Sequence, residues 1–147
     1  MTAKEYLKKA HRLDREALMT VSKLNMIRQR LYCRGQSDDA NSSHHAGDSL
    51  GVALAAVIDY EREADEKIAS LVLEWLSIEK KIKAVSDPVE REVLERKYLM
   101  YQPFESGYDK RTGRYIKGIA ESMGYSERQI YRIHGSALNH IDVSECQ

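Results

Sequence analysis

The chain is poor in residues that interrupt helices. Eight glycines and two prolines are spread over 147 residues, and both prolines, Pro88 and Pro103, fall in the second half. Long uninterrupted helices are therefore the expectation. Cysteine is nearly absent: Cys33 and Cys146 are far apart and belong to no Cys-x-x-Cys pair, so they read as free thiols, not a bridge or a metal site. No apolar run approaches the roughly 20 residues that cross a bilayer. The opening Met1-Thr2-Ala3-Lys4-Glu5-Tyr6 has no signal-peptide core, which predicts a cytoplasmic protein. Net charge is missing as well, with 23 Lys and Arg balancing 23 Asp and Glu, which argues against a generic polycation that coats nucleic acid. The sequence holds no Gly-rich phosphate loop, no histidines paired at helical spacing and no Gly-x-Ser-x-Gly turn, so neither an enzyme nor a cofactor is expected.

What is present is helical. Thr2-Ala3-Lys4-Glu5 forms a capping box that opens a helix running to about Cys33. Its apolar stripe is Leu7, Ala10, Leu13, Ala17, Val21, Leu24, Ile27 and Leu31, spaced by three or four as one buried face requires. The stretch 34–49 lacks periodicity and reads as a loop, in which His44 and His45 with Asp38, Asp39 and Asp48 are solvated and not metal ligands. A second helix starts near Asp48 or Ser49. Leu54, Glu61, Ile68, Trp75 and Ile82 recur at sevens, and Val57, Ala64, Leu71, Ile78 and Val85 form the companion series. Such a seam needs a partner stripe, and the first helix supplies one. An antiparallel helical hairpin over residues 1–85 is expected, with self-association of the seam as the other reading. Trp75 reads as core or the centre of a subunit interface. The run Glu61 to Lys67 reads as a solvated face, except that Glu61 lies on the seam.

Ser86-Asp87-Pro88-Val89-Glu90 breaks and restarts the chain, with Asp87 as N-cap, Pro88 at the first helical position and Glu90 closing a capping box. The helix that follows runs to about Met100, with Val89, Val93, Leu94, Lys97 and Tyr98 on or near one face. Gln102 to Thr112 is polar and turn-rich. Two short helices then follow, from Ile116 to about Ile141. Ala120 is small where they would cross, Gly124 suits a positive-φ turn, Ile130 is an apolar anchor, and Ser126 can accept the backbone N–H of Arg128 or Gln129. This pattern reads as a DNA-binding helix-turn-helix, with Glu127, Arg128, Tyr131 and Arg132 outward on the recognition helix. From Gly107 to Ile141 six basic residues face three acidic ones, a local surplus consistent with phosphate contact. The candidate DNA-contacting residues are Arg114, Lys117, Ser126, Glu127, Arg128, Gln129, Tyr131 and Arg132. Gly135 interrupts the last helix at a cost of about 1 kcal/mol relative to alanine, with a bend as one outcome. His134 and His140 are expected at phosphate or solvent.

The block Asp87 to Tyr98, followed by Ile119 to Ile133 and Ala137-Leu138, resembles region 4 of bacterial sigma factors, the part that reads the −35 promoter element. The layout of the whole chain resembles small phage-encoded proteins of the RinA and ArpU type. The resemblance implies a transcriptional regulator of late phage genes, acting in the bacterial host cell on double-stranded DNA; it would either recruit RNA polymerase or act as an operator-bound dimer. It also implies base-edge and phosphate contacts on Glu127, Arg128, Tyr131 and Arg132. Sigma factors usually carry arginine where this chain has Glu127 and Arg-Gln where it has Tyr131-Arg132, so the −35 preference does not carry over. Arg128 or Arg132 suits guanine O6 and N7, and Tyr131 a thymine methyl or a phosphate. No basic, aromatic helix able to melt a promoter precedes this block. The expected protein is thus all-α: an N-terminal hairpin, 1–85, that binds a partner or forms a homodimer, and a helix-turn-helix domain, 87–141. The alternatives are a DNA-packaging adaptor similar to a small terminase subunit, and a protein-interaction module that binds polymerase.

Overall fold

The computed structural model describes residues 1–36 and 46–143. The described chain is mostly helical, in the order α1 (Ala3–Gln36), α2 (Ala46–Lys83), α3 (Pro88–Leu94), a π-helical turn (Glu95–Leu99), β1 (Gly107–Tyr108), β2 (Tyr115–Ile116), α4 (Ile119–Met123) and α5 (Glu127–Asn139). No helix among the described residues is long and apolar enough to cross a membrane. Helix α1 continues past Cys33 to Gln36 and α2 begins at Ala46, so both ends of the stretch expected at 34–49 to be a loop are helical. The rest of that stretch, with His44 and His45, lies outside the described residues, as does Cys146; Cys33 is exposed. The structure forms two compact units, one built from Met1–Leu13 and Glu74 onward, the other from Asp14–Leu73.

In the second unit, portions of α1 and α2 pair in opposite directions. Glu16 bonds Lys67 at 2.8 Å, and further along α1 the Nε of Arg28 donates to Oε1 of Glu61 at 2.6 Å. Glu61, the one charge on the heptad seam, is thus compensated from the facing helix. Leu24 and Ala64 are buried, whereas Leu54 is 52% exposed and does not join the seam. Val21 is also outside it: Thr20 is buried in its place, because spacings of four, three and four from Leu13 reach Ala17, Thr20 and Leu24. The Thr20 hydroxyl donates to Glu16 O at 2.9 Å, which removes the cost of burying it.

The first unit contains the main core. The reciprocal bonds of the Thr2–Glu5 capping box start α1, Thr2 N to Glu5 Oε2 at 2.8 Å and Glu5 N to Thr2 Oγ1 at 3.2 Å. Tyr6, Leu7, Ala10 and Leu13 are buried on it, as are Ile78, Ile82 and Val85 on the end of the heptad series, and Trp75 is half-buried. Tyr6 shares a hydrogen bond of 3.3 Å with Ser77. Asp87 caps α3, accepting from Val89 N at 2.7 Å and Glu90 N at 3.2 Å. Glu90 does not close the expected box. It is buried, and its Oε2 lies 2.6 Å from His140 Nδ1 at the far end of α5. Arg91 donates twice to Val85 O, at 3.1 and 3.0 Å, and so satisfies a carbonyl of the segment that joins α2 to α3.

The helix expected to reach Met100 changes pitch instead. From Glu95 the ladder widens, Met100 N bonding Glu95 O at 3.0 Å, and the segment closes on Tyr101, a non-glycine residue at φ 56°. Tyr98 is thereby buried beside Val93 and Leu94. The segment expected to be only turns contains a short antiparallel hairpin, with Gly107 opposite Ile116 and Tyr108 opposite Tyr115. Below it, Val93, Ile119, Ala120 and Ile130 form a closed cluster with Phe104, Met123 and Ile133 packed against it. Each fully buried aliphatic side chain there contributes about 1.5–3 kcal/mol.

Candidate nucleic-acid interface

Helix α4 has only five residues, so its ends must be satisfied from outside. Pro103 O accepts from Ile119 N at 2.9 Å and Phe104 O from Ala120 N at 3.2 Å. This places 103–106 directly over Gly118, where no side chain fits: a Cβ would fall against the Glu105 carbonyl carbon, 2.6 Å from Ser106 N and 2.7 Å from Phe104 O. Ser106 Oγ accepts from Gly118 N at 2.8 Å and itself donates to Glu121, which also accepts from Tyr115 Oη at 2.7 Å. Those two hydroxyls hold the Glu121 carboxyl below the usual range. Gln102 Nε2 ties the opposite side, donating to Lys117 O at 2.8 Å and Ser122 Oγ at 2.7 Å.

Helix α4 ends on Gly124 at φ 72°, in the left-handed region, with Tyr125 N bonding Ala120 O at 3.0 Å. Ser126 then caps α5: its Oγ accepts from Gln129 N at 3.3 Å, and Gln129 Oε1 accepts from Ser126 N at 2.9 Å. Both side chains are therefore engaged in starting the helix. Ile130, His134 and Ala137 bury the inner face of α5. On the outer face Glu127, Arg128 and Arg132 are exposed and form no ion pair among the described residues. Arg128 and Arg132 are one turn apart, on a common stripe. Tyr131, 47% exposed, donates to Glu105 Oε1 at 3.0 Å and lies 4.9 Å from the Phe104 ring, and the bond to that carboxylate raises its pKa. Arg132 also borders a shallow groove of about 370 Å³ against the start of α3, where Asp87 and Glu90 lie opposite.

No protein-family model matches the chain, and neither a curated protein nor a solved structure matches it. The functional reading rests on geometry and charge.

Arg114 and Lys117 are exposed, and neither forms an ion pair among the described residues. Arg114 belongs to the turn that joins the two short strands. Asp109 N bonds Arg114 O at 2.8 Å, Gly113 adopts φ 65°, and the Asp109 carboxylate accepts from Thr112 Oγ1 at 2.6 Å and Arg111 N at 3.1 Å. Those bonds, the hydroxyl's first, lower the Asp109 pKa. The turn presents Lys110, Arg111 and Arg114 together, with Tyr108 and Tyr115 edge-to-face at 5.3 Å across the strands. The signal was there, a tyrosine on each side of an Asp-x-x-x-Gly turn. Two-residue strands fall below what alternation can reveal.

Of the two histidines expected at phosphate or solvent, His134 departs from that and His140 is exposed. His134 is buried, with Nε2 sharing a 2.9 Å hydrogen bond with Tyr98 Oη and its ring edge-on to Phe104 at 4.9 Å. Burial, then the charges of Lys4 and Lys97, push its pKa down to about 4. His140 meets Glu90, as described above. His134 belongs to packing, because the 3.6-residue period carries position 134 to the same side as Ile130 and Ala137.

Proposed function

We propose that this protein is a sequence-specific DNA-binding regulator of transcription that activates late genes in a phage or prophage. The observation that carries the reading is the pair Arg128 and Arg132, exposed and without carboxylate partners among the described residues, on the outer stripe of a capped helix whose inner face is anchored. In this reading α4 and α5 are a sigma-region-4-like helix-turn-helix, α5 enters the major groove, and the two arginines read base edges. Lys117, Arg114 and the other cations of the 109–114 turn meet phosphates on the flank. Recruitment of RNA polymerase through the same module accounts for activation.

The paired helices are read as a hairpin that joins two copies, supported by the exposure of Leu18, Met19, Met26, Val52, Ile58 and Leu73. A dimer would offer two recognition helices to two half-sites. The same exposure supports a small-terminase-like packaging adaptor, which would assemble as a ring of many subunits.

Selection of bound duplexes from a random pool, at stated salt, tests the reading. Arg128→Ala or Arg132→Ala is expected to relax preference at particular base pairs and cost about 1–3 kcal/mol there. Arg114→Ala or Lys117→Ala should weaken all sequences alike and reduce the salt slope by about one. Equal, sequence-blind losses for all four variants would remove the base-reading assignment.

A further inference from the structure

A second concavity lies within the first unit, between the opening turns of α1 and the π-helical turn. It holds about 400 Å³, in the range of small-molecule sites. Lys4, Lys8 and Lys97 line it together with Leu7, Tyr98 and Phe104. None of the three lysines forms an ion pair among the described residues. Lys4 and Lys8 are one turn apart, a spacing at which like charges repel. Lys97 is half-buried with its ammonium 4.3 Å from the centre of the Phe104 ring, and burial, then Lys4 and Lys8, lower its pKa. The protein thus gathers three cations over an aromatic wall with no ion pair to any of them among the described residues. The backbone beside the site is also irregular. The π-helical turn carries Lys97 and Tyr98 inward, and Tyr101, at φ 56°, is held by its hydroxyl on Ala10 O at 3.4 Å and by His11 edge-on at 4.6 Å. Such departures from regular backbone persist where the surrounding structure holds them in place, and they cluster at ligand sites.

We propose that this concavity binds a small organic anion with a flat apolar body, about the size of a nucleoside monophosphate. Its phosphate, sulfonate or carboxylate lies among the ammonium groups of Lys4, Lys8 and Lys97, and its ring lies against Tyr98 and Phe104. Phe104 also packs on Tyr131 of α5, so an occupant touches the residue that backs the outer face of that helix. An effect of the ligand on DNA affinity rests on the proposed DNA-binding function; the binding itself does not.

Calorimetric titration of the full chain with adenosine 5′-monophosphate and with naphthalene-1-sulfonate tests the site. At least one is expected to bind one-to-one, with adenosine, which lacks the charge, and inorganic phosphate, which lacks the ring, at least tenfold weaker. Lys97→Met keeps the apolar stem over Phe104 and should weaken binding at least tenfold. Lys8→Gln, on an exposed turn of α1 where folding is not at stake, should do the same, while Lys110→Gln changes nothing. Absence of binding by both ring anions, or binding indifferent to Lys97→Met and Lys8→Gln, overturns the proposal. If those two variants instead weaken only duplex DNA, the lysines belong to a DNA footprint and the small-ligand site is likewise rejected. Ring-anion binding without DNA binding would leave this site standing and remove the regulatory function.

Discussion

Gly118 and Gly135 are the same residue in opposite surroundings. At Gly118 a methyl group would meet the backbone of Phe104, Glu105 and Ser106, which cannot give way without releasing the bonds that start α4. Gly118→Ala should cost about 1–3 kcal/mol, as overpacking does. At Gly135 no heavy atom lies within 4 Å of the added carbon, and α5 runs through it unbroken from Glu127 to Asn139, so the helix carries the cost of a glycine in its interior. Gly135→Ala should therefore stabilise the protein by about 1 kcal/mol through helix propensity. Urea unfolding of both variants, with an unchanged denaturant slope, checks the pair.

Among the elements, the contact of α5 with the π-helical turn has a built-in pH dependence. His134 is buried with a folded pKa of about 4, below its ordinary 6.5, while burial pushes the partner Tyr98 up to about 12, so both rings stay neutral near pH 7. Because the folded value is the lower one, the contribution is complete above pH 6.5 and is lost as pH falls toward 4, where the unfolded chain takes up a proton that the folded chain refuses. The loss should be on the order of 2 kcal/mol across that window, allowing for partial screening. Thermal unfolding from pH 7.5 to 4.5 checks it, and His134→Gln, which keeps a hydrogen-bonding group opposite Tyr98, should flatten the curve.

For the whole molecule, the exposed apolar residues of the Asp14–Leu73 unit predict association. Leu18 is 60% and Leu73 68% exposed, among others that form no internal core. Large apolar side chains left in water mark interaction sites where they gather into a patch. Light scattering at micromolar concentration should give a dimer, and the double variant Leu18→Glu and Leu73→Glu should give a monomer with unchanged helical circular dichroism. A wild-type monomer would remove the reading of these helices as a dimerisation segment, and a large ring would favour the packaging reading.

What could be read in the chain was local chemistry: the caps at Thr2, Asp87 and Ser126, the left-handed turn at Gly124, the two long helices and the exposed arginines on α5. Each depends on bonds within a turn or on periodicity inside one element, so neighbouring residues suffice to specify it. What only the tertiary structure decided involves partners far apart in sequence or elements too short to show a period. Glu90 leaves its own helix terminus for His140, Thr20 displaces Val21 from the buried stripe, and the pitch change at Glu95–Leu99 takes Tyr98 inward to meet His134. Two-residue strands assemble the cationic turn at 109–114, and Lys97 comes to rest beside lysines some ninety positions earlier. Those arrangements follow from which surfaces meet when the core closes, because a side chain's burial and charge environment are set by neighbours that sequence proximity does not identify.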